Sequence, residues 1–319
     1  MKAEPMKFAK DILGKVSRSF ALTIPMLDEE IKDEVLLVYL QDRILDNFED
    51  EIHPPNLKLQ KDMMDRVSRI FSTEEYDRSS DFEIIERKSK LIEDHSLKKL
   101  TENIDLIYQC YQDFDFKIQE ISHKWLQEMN QGMQKYLTKK VETFADLDEY
   151  CYYVAGTVGG FLTETIIYKF DINQENTRIL LDNFNQAGLF LQKVNLIRDI
   201  REDLKNRDKH YWPLKDLGIN EKKLADPKNE KKAIDALSKM LTDLKSHIPA
   251  LEKYYNALPA ELKGYKKFFA VNNALGLATI DKLEDNPDVF YGNKAVKVSK
   301  LKFLDIMRSP EKKFLDYCR

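Results

Sequence analysis

Two short acidic motifs carry the chemistry in this sequence. Asp46, Glu49 and Asp50 (DNFED) and Asp199, Glu202 and Asp203 (DIRED) share the spacing D-x-x-E-D. In a helix, positions i, i+3 and i+4 fall on one face, so each motif projects three carboxylates together. Such carboxylates repel one another unless a cation stands among them. Mg²⁺ suits the role because it takes oxygen ligands, keeps several waters and is shared with substrate phosphates. The spacing alone is a weak signal. With 55 acidic residues in 319 it arises by chance roughly once or twice. Glu30/Asp33/Glu34 and Asp281/Glu284/Asp285 repeat it, and they are read as solvated helix faces.

Neighbouring residues lift the first two motifs above that background. Tyr39 and Arg43 precede Asp46 on the same stripe, and an arginine can fork onto a diphosphate beside a metal. Gln192 and Asn195 precede Asp199 and Asp203, giving one polar stripe on a helix whose neighbours Phe190, Leu191, Val194 and Ile197 are apolar. Buried carboxylates without partners would be very costly, so the stripe points to a lined cavity. A third feature is the run YCYYVAGTVGG at 150–160, in which Gly156, Gly159 and Gly160 each cost a helix ~1 kcal/mol relative to Ala. Close helix packing and the wall of a long apolar tunnel are both open readings.

The elements that position these residues are helical. The chain has 10 glycines and 10 prolines in 319 residues, about half the ~12% of average usage, so a turn-rich β fold is excluded. Apolar residues make 43%, enough for a core. Helical periodicity is expected over 29–50, 104–133, 147–169, 176–205 and 228–256, with a polar loop at 74–84. Breaks fall at Asp171, Asn206-Arg207-Asp208, Pro259 and Asn286-Pro287. No linker or repeat divides the chain, and one all-α domain over 1–319 is the expectation.

Composition narrows the function. Lys and Arg number 51 against 55 Asp and Glu, a net charge of −4, so no nucleic-acid partner is expected. The longest uncharged run, 150–163, has 14 residues, short of the ~20 that span a membrane. Cys110, Cys151 and Cys318 have no metal-binding spacing, and the odd count suits a reducing, cytoplasmic setting. Glu120 and His123 form a lone ExxH, whereas a di-iron bundle needs two.

These elements occur together and in order, and the chain resembles the squalene/phytoene synthase family, the head-to-head prenyl transferases. The resemblance starts at Ser17-Arg18-Ser19-Phe20-Ala21 and runs through Tyr39-x3-Arg43-x2-Asp46-x2-Glu49-Asp50 and YCYYVAGTVGG. It is sharpest over 188–203 (GLFLQKVNLIRDIRED), followed by Tyr211-Trp212-Pro213. The resemblance implies an all-α, single-domain isoprenoid-synthase fold with a central cavity lined by the two Asp-rich motifs. It also implies Mg²⁺-dependent (or Mn²⁺-dependent) joining of two farnesyl diphosphates through presqualene diphosphate, then NADPH-dependent reduction to squalene.

By the same resemblance, Asp46, Glu49, Asp50, Asn195, Asp199, Glu202 and Asp203 attend the metal. Ser17, Arg18, Ser19, Tyr39, Arg43, Gln192 and Arg198 attend the diphosphate, and Tyr150 handles a proton. Phe20, Val154, Gly156, Val158, Leu191 and Phe268 line the prenyl pocket. Arg43, Lys297 and Lys300 attend NADPH, although Lys297 reads equally as a solvated charge and Ser299 stands where the family often carries a second basic residue. The 190–193 segment resembles squalene-forming members, while YCYYVAGTVGG is close to the version in dehydrosqualene-forming ones. Dehydrosqualene, presqualene diphosphate or phytoene as product, and a non-catalytic assembly role, remain alternatives. A monomer with peripheral membrane contact is expected.

Overall fold

The structure is a computed structural model describing residues 3–206 and 210–319, and among these residues every regular element is helical. The chain groups into two compact units, Met1–Thr138 with Phe161–Asp171, and Lys139–Gly160 with Ile172–Arg319. No helix among the described residues is long and apolar enough to cross a membrane.

The Glu29–Asp50 helix organises the first unit, spanning the residues its periodicity predicts. It packs against Leu57–Ile70, His95–Glu102, Ile104–Tyr111 and Phe116–Tyr136. Leu37, Leu40, Ile44, Leu45 and Phe48 are wholly enclosed. Two of its buried polar side chains each find a partner, while Asn47 Oδ1 and Gln41 Nε2 have none among the described residues. The Asn47 amide donates to Thr101 Oγ1 at 2.9 Å, and Ser122 Oγ donates to Gln41 Oε1 at 2.9 Å. The pattern over 104–133 resolves into two helices, because the Asp115 carboxylate accepts from Lys117 N at 2.8 Å and starts Phe116–Tyr136 afresh.

Part of the polar segment 74–84, expected as a loop, forms the Ser79–Ser89 helix. One of its charges is not solvated. The buried Asp81 carboxylate accepts from Arg66 Nη1 at 2.6 Å, Arg69 Nη2 at 2.6 Å and the Tyr76 hydroxyl at 3.0 Å. These donors hold its carboxyl below the usual range against the opposing effect of burial. Glu34 likewise departs from the expected solvated face, being buried with Lys169 Nζ at 2.7 Å.

The second unit is built on the long Gln174–Asn206 helix, which packs against Glu230–Lys245, Ile248–Ala257, Lys263–Leu283 and Asp288–Tyr291. The pattern over 228–256 divides at Ser246-His247, with Pro249 in the first turn of the next helix. Helix Phe144–Cys151 opens with a capping box between Thr143 and Asp146 and runs into a π-helical segment, Tyr152–Gly156. That segment lies on the long helix, and glycines make the approach possible. A Cβ on Gly188 would meet the Ala155 carbonyl oxygen at 2.5 Å, and one on Gly159 would meet that of Phe184 at 2.8 Å. Close backbone packing is therefore what the glycine-rich run serves.

This packing gives a stability contrast. Gly188→Ala forces backbone apart and is expected to cost roughly 2 kcal/mol or more. Gly14→Ala, where nothing lies within 4 Å, is expected to stabilise its helix by about 0.5–1 kcal/mol. Urea midpoints measure both; equal effects would contradict the close approach.

Candidate functional site

In the first unit, the helix carrying DNFED is buried along most of its second half, yet Tyr39, Asp42, Arg43, Asp46 and Asp50 stay half-exposed. These positions form one stripe at helical spacing. The Arg43 guanidinium pairs with the Asp46 carboxylate one turn on. Tyr39 rests on Phe20 with ring centroids 5.0 Å apart, and burial raises its hydroxyl above the ordinary range while a hydrogen bond with Ser17 opposes this. Ser17 Oγ also accepts from Phe20 N at 3.1 Å, so the SRSF segment is folded onto the stripe. Arg18 and Ser19 are exposed. Burial and the charge of Asp46 push the Asp42 carboxyl well above the usual carboxylate range. Glu49 is buried off the stripe, and its backbone carbonyl accepts from Gln60 Nε2 at 2.7 Å.

In the second unit, Gln192, Arg198 and Asp199 are half-exposed, Asn195 and Glu202 exposed, and Asp203 buried. Arg198 forks onto Asp199, with Nε to Oδ1 at 2.8 Å and Nη2 to Oδ2 at 2.6 Å. Each motif thus holds an arginine on its first aspartate, a bidentate donor that phosphate oxygens can also use. Tyr150 is buried and stacks on Tyr211, ring centroids 3.9 Å apart at 14°. Trp212 Nε1 donates to Leu196 O at 3.0 Å and ties the segment after the motif to the long helix. Val154, Val158 and Leu191 are half-buried, and Gly156 and Phe268 buried. Lys297 and Lys300 are exposed, Lys300 opening the Lys300–Arg308 helix whose N-cap Ser299 accepts from Lys302 N at 3.2 Å. Of the DIRED break residues, Arg207 and Asp208 lie outside the described residues.

One charged group was not singled out by sequence reasoning. Lys193 is fully buried, with Nζ 2.5 Å from Asp148, 2.6 Å from Asp243 and 2.9 Å from His247 Nε2. Its sequence signal is a single cation inside the apolar run 189–197. Asp148, Asp243 and His247 have the spacing of metal ligands, but the Lys193 side chain stands among them, so they do not fit the Mg²⁺ role of the two motifs. Those motifs do fit it: their donors are carboxylate and amide oxygens, the set a hard divalent cation prefers.

Comparisons with known proteins converge on one family. The family model described as squalene/phytoene synthase matches residues 13–302. The chain is 32% identical over 292 residues to a squalene synthase of Botryococcus braunii, covering 89% of this chain and 59% of that protein. To the squalene synthase of Nicotiana benthamiana it is 33% identical over 291 residues, covering 89% and 66%. The chain therefore spans roughly three fifths to two thirds of the length of these relatives. A solved complex of TcSQS with the ligand BPH1237 superposes with a TM-score of 0.86 at 28% identity, covering 99% of this chain and 89% of that one.

The Lys193 cluster makes stability pH-dependent. Burial, assisted by Lys193, lowers the His247 imidazole from 6.5 to about 4. The unfolded chain then takes up this proton first, so stability is complete above about pH 6.5 and falls as pH drops towards 4. The loss approaches ~1.4 kcal/mol per pH unit inside that window. Urea midpoints between pH 7 and 5 should fall more steeply for the wild type than for His247→Gln. Parallel slopes would contradict the assignment.

Proposed function

Because the chain belongs to the squalene/phytoene synthase family, we propose that it is a Mg²⁺-dependent farnesyl-diphosphate farnesyltransferase. In this reading it joins two farnesyl diphosphates head to head through presqualene diphosphate and reduces that product to squalene with NADPH. The supporting observation is the pair of arginine-bearing carboxylate stripes, Tyr39-Arg43-Asp46-Asp50 and Gln192-Asn195-Arg198-Asp199-Asp203, on helices otherwise given to core packing. The family match extends over both units and supports treating 1–319 as one synthase domain.

Asp46 and Asp50 would hold Mg²⁺ in the first unit, and Asn195, Asp199 and Asp203 in the second, with Glu49 and Glu202 in support. When bound, the metal neutralises the charge that grows on a departing diphosphate. Arg43 and Arg198 add guanidinium donors to the same oxygens. Ser17, Ser19, Arg18, Tyr39 and Gln192 orient the diphosphate. The apolar side chains of Phe20, Val154, Val158, Leu191 and Phe268 keep water from the allylic cation, which water would otherwise capture. Condensation releases one diphosphate and one proton, and the buried Tyr150 hydroxyl is assigned to that proton. The second step releases the other diphosphate and consumes a hydride that NADPH supplies. Lys297 and Lys300, two exposed cations around a helix N-terminus, suit the cofactor's phosphates.

Purified protein with farnesyl diphosphate and Mg²⁺ should give presqualene diphosphate alone, and squalene only when NADPH is added. A C30 hydrocarbon in the absence of NADPH would overturn the reductive half of the proposal. Asp199→Asn should lower presqualene diphosphate formation roughly 100-fold, and near-normal turnover would remove Asp199 from the metal site. Lys297→Ala should raise the KM for NADPH about 10-fold with the first half-reaction intact. An unchanged NADPH dependence would leave Lys297 a solvated charge.

A further inference from the structure

The Lys193 cluster is organised like a metal centre. Its acceptors come from three places in the second unit: Asp148 in Phe144–Cys151, Asp243 in Glu230–Lys245, and His247 just before Ile248–Ala257. Their ligand atoms lie within 4.8 Å of one another, the two-carboxylate, one-imidazole set that divalent transition metals accept. The outer contact is also of that kind. His247 Nδ1 stands 2.6 Å from Gln186 Oε1, which can only accept, so Nδ1 carries the proton and Nε2 turns a lone pair towards Lys193. An ammonium has three donors and no acceptor; here it donates to Asp243 Oδ2 at 2.6 Å and to His247 Nε2 at 2.9 Å, and forms an ion pair with Asp148 Oδ1 at 2.5 Å. The amine stands where an ion would.

We propose that Lys193 is a positioning residue, an internal cation seated in an Asp148/Asp243/His247 metal-type site that fixes the Phe144–Cys151 helix to the Gln174–Asn206 helix. Asp148 stands two residues before Tyr150, and Lys193 lies next to Gln192 and two residues before Asn195. One buried ion pair thereby sets the tyrosine relative to the polar stripe of the same unit. The cation claim stands on the geometry alone. Its bearing on turnover rests on the proposed function.

Removing the amine leaves an open site for a metal ion, so Co²⁺ serves as the probe. Lys193→Ala should melt roughly 5 °C below the wild type, since the half-buried Asp148 and Asp243 lose the counter-charge they share. One equivalent of Co²⁺ should restore most of that loss and show the strong visible absorption of a low-coordinate ion. Wild type, with the amine in the site, and Lys193→Ala/His247→Ala, lacking a ligand, should show neither. At saturating Mg²⁺ and farnesyl diphosphate, kcat of Lys193→Ala should fall about 10-fold or more with KM within about twofold, and Co²⁺ should recover kcat.

A Lys193→Ala protein that melts within about 2 °C of the wild type and gives no Co²⁺ absorption overturns the cation claim. Restored melting without restored kcat overturns the positioning role. If wild type itself makes no presqualene diphosphate, the functional reading fails, while melting and absorption still decide the cation claim. Should Lys193→Ala not fold, Asp243→Asn keeps the amine but removes one acceptor. It should lower both melting temperature and kcat at unchanged KM, and wild-type values for both would overturn the proposal.

Discussion

A carboxylate inside a helical bundle persists only where a cation stands beside it, because an uncompensated buried charge costs several kcal/mol. This constraint is met in different ways at several acidic centres, and at Asp42, which has no cation beside it among the described residues, burial and Asp46 instead push the carboxyl well above the usual range. Asp81 is clamped by Arg66, Arg69 and Tyr76 and serves the fold alone. Asp148 and Asp243 share the lysine ammonium. Asp46 and Asp199 each carry an arginine that a phosphate can also engage, and Asp50 and Asp203 complete oxygen-donor sets suited to Mg²⁺. What separates them is the partner: the Asp81 and Lys193 clusters are satisfied by protein groups, whereas the two motifs carry arginines that a phosphate can also engage.

Helix packing delivers these side chains to their places. The Glu29–Asp50 helix spends its apolar positions on four neighbours and keeps one stripe half-open. The Gln174–Asn206 helix does the same while the π-helical segment Tyr152–Gly156 lies against it. A π-turn is a local irregularity that regular packing does not require, and such turns recur at functional places. Here it begins two residues after Tyr150, and Gly188 lets the two backbones meet. The glycine-rich run thus has a packing cause.

Much of this was legible in the sequence. The all-helical class followed from scarce Gly and Pro and from the 3.6-residue period, and helix Glu29–Asp50 appears where that period predicts it. The family followed from motif order, since each motif alone is commonplace. What escaped was tertiary in origin. The split at Gln112–Asp115 is a capping event hidden inside an unbroken apolar pattern. The helix after residue 78 looked like loop because its buried charge, Asp81, is satisfied by partners 12–15 positions away. Lys193 looked like part of a motif because its three acceptors lie about 45–54 residues off in sequence.

The central claim of the proposal is that the carboxylate stripe in each unit binds prenyl diphosphate through Mg²⁺ rather than through protein cations alone. Calorimetric titration with a non-ionisable thiolo analogue of farnesyl diphosphate, with Mg²⁺ and with EDTA in its place, tests this most directly. The account predicts saturable binding with Mg²⁺ and an affinity at least roughly 100-fold weaker without it. Equal affinity under both conditions would mean that Arg43, Arg198 and their neighbours bind the diphosphate unaided, and the metal role of the aspartates would fall.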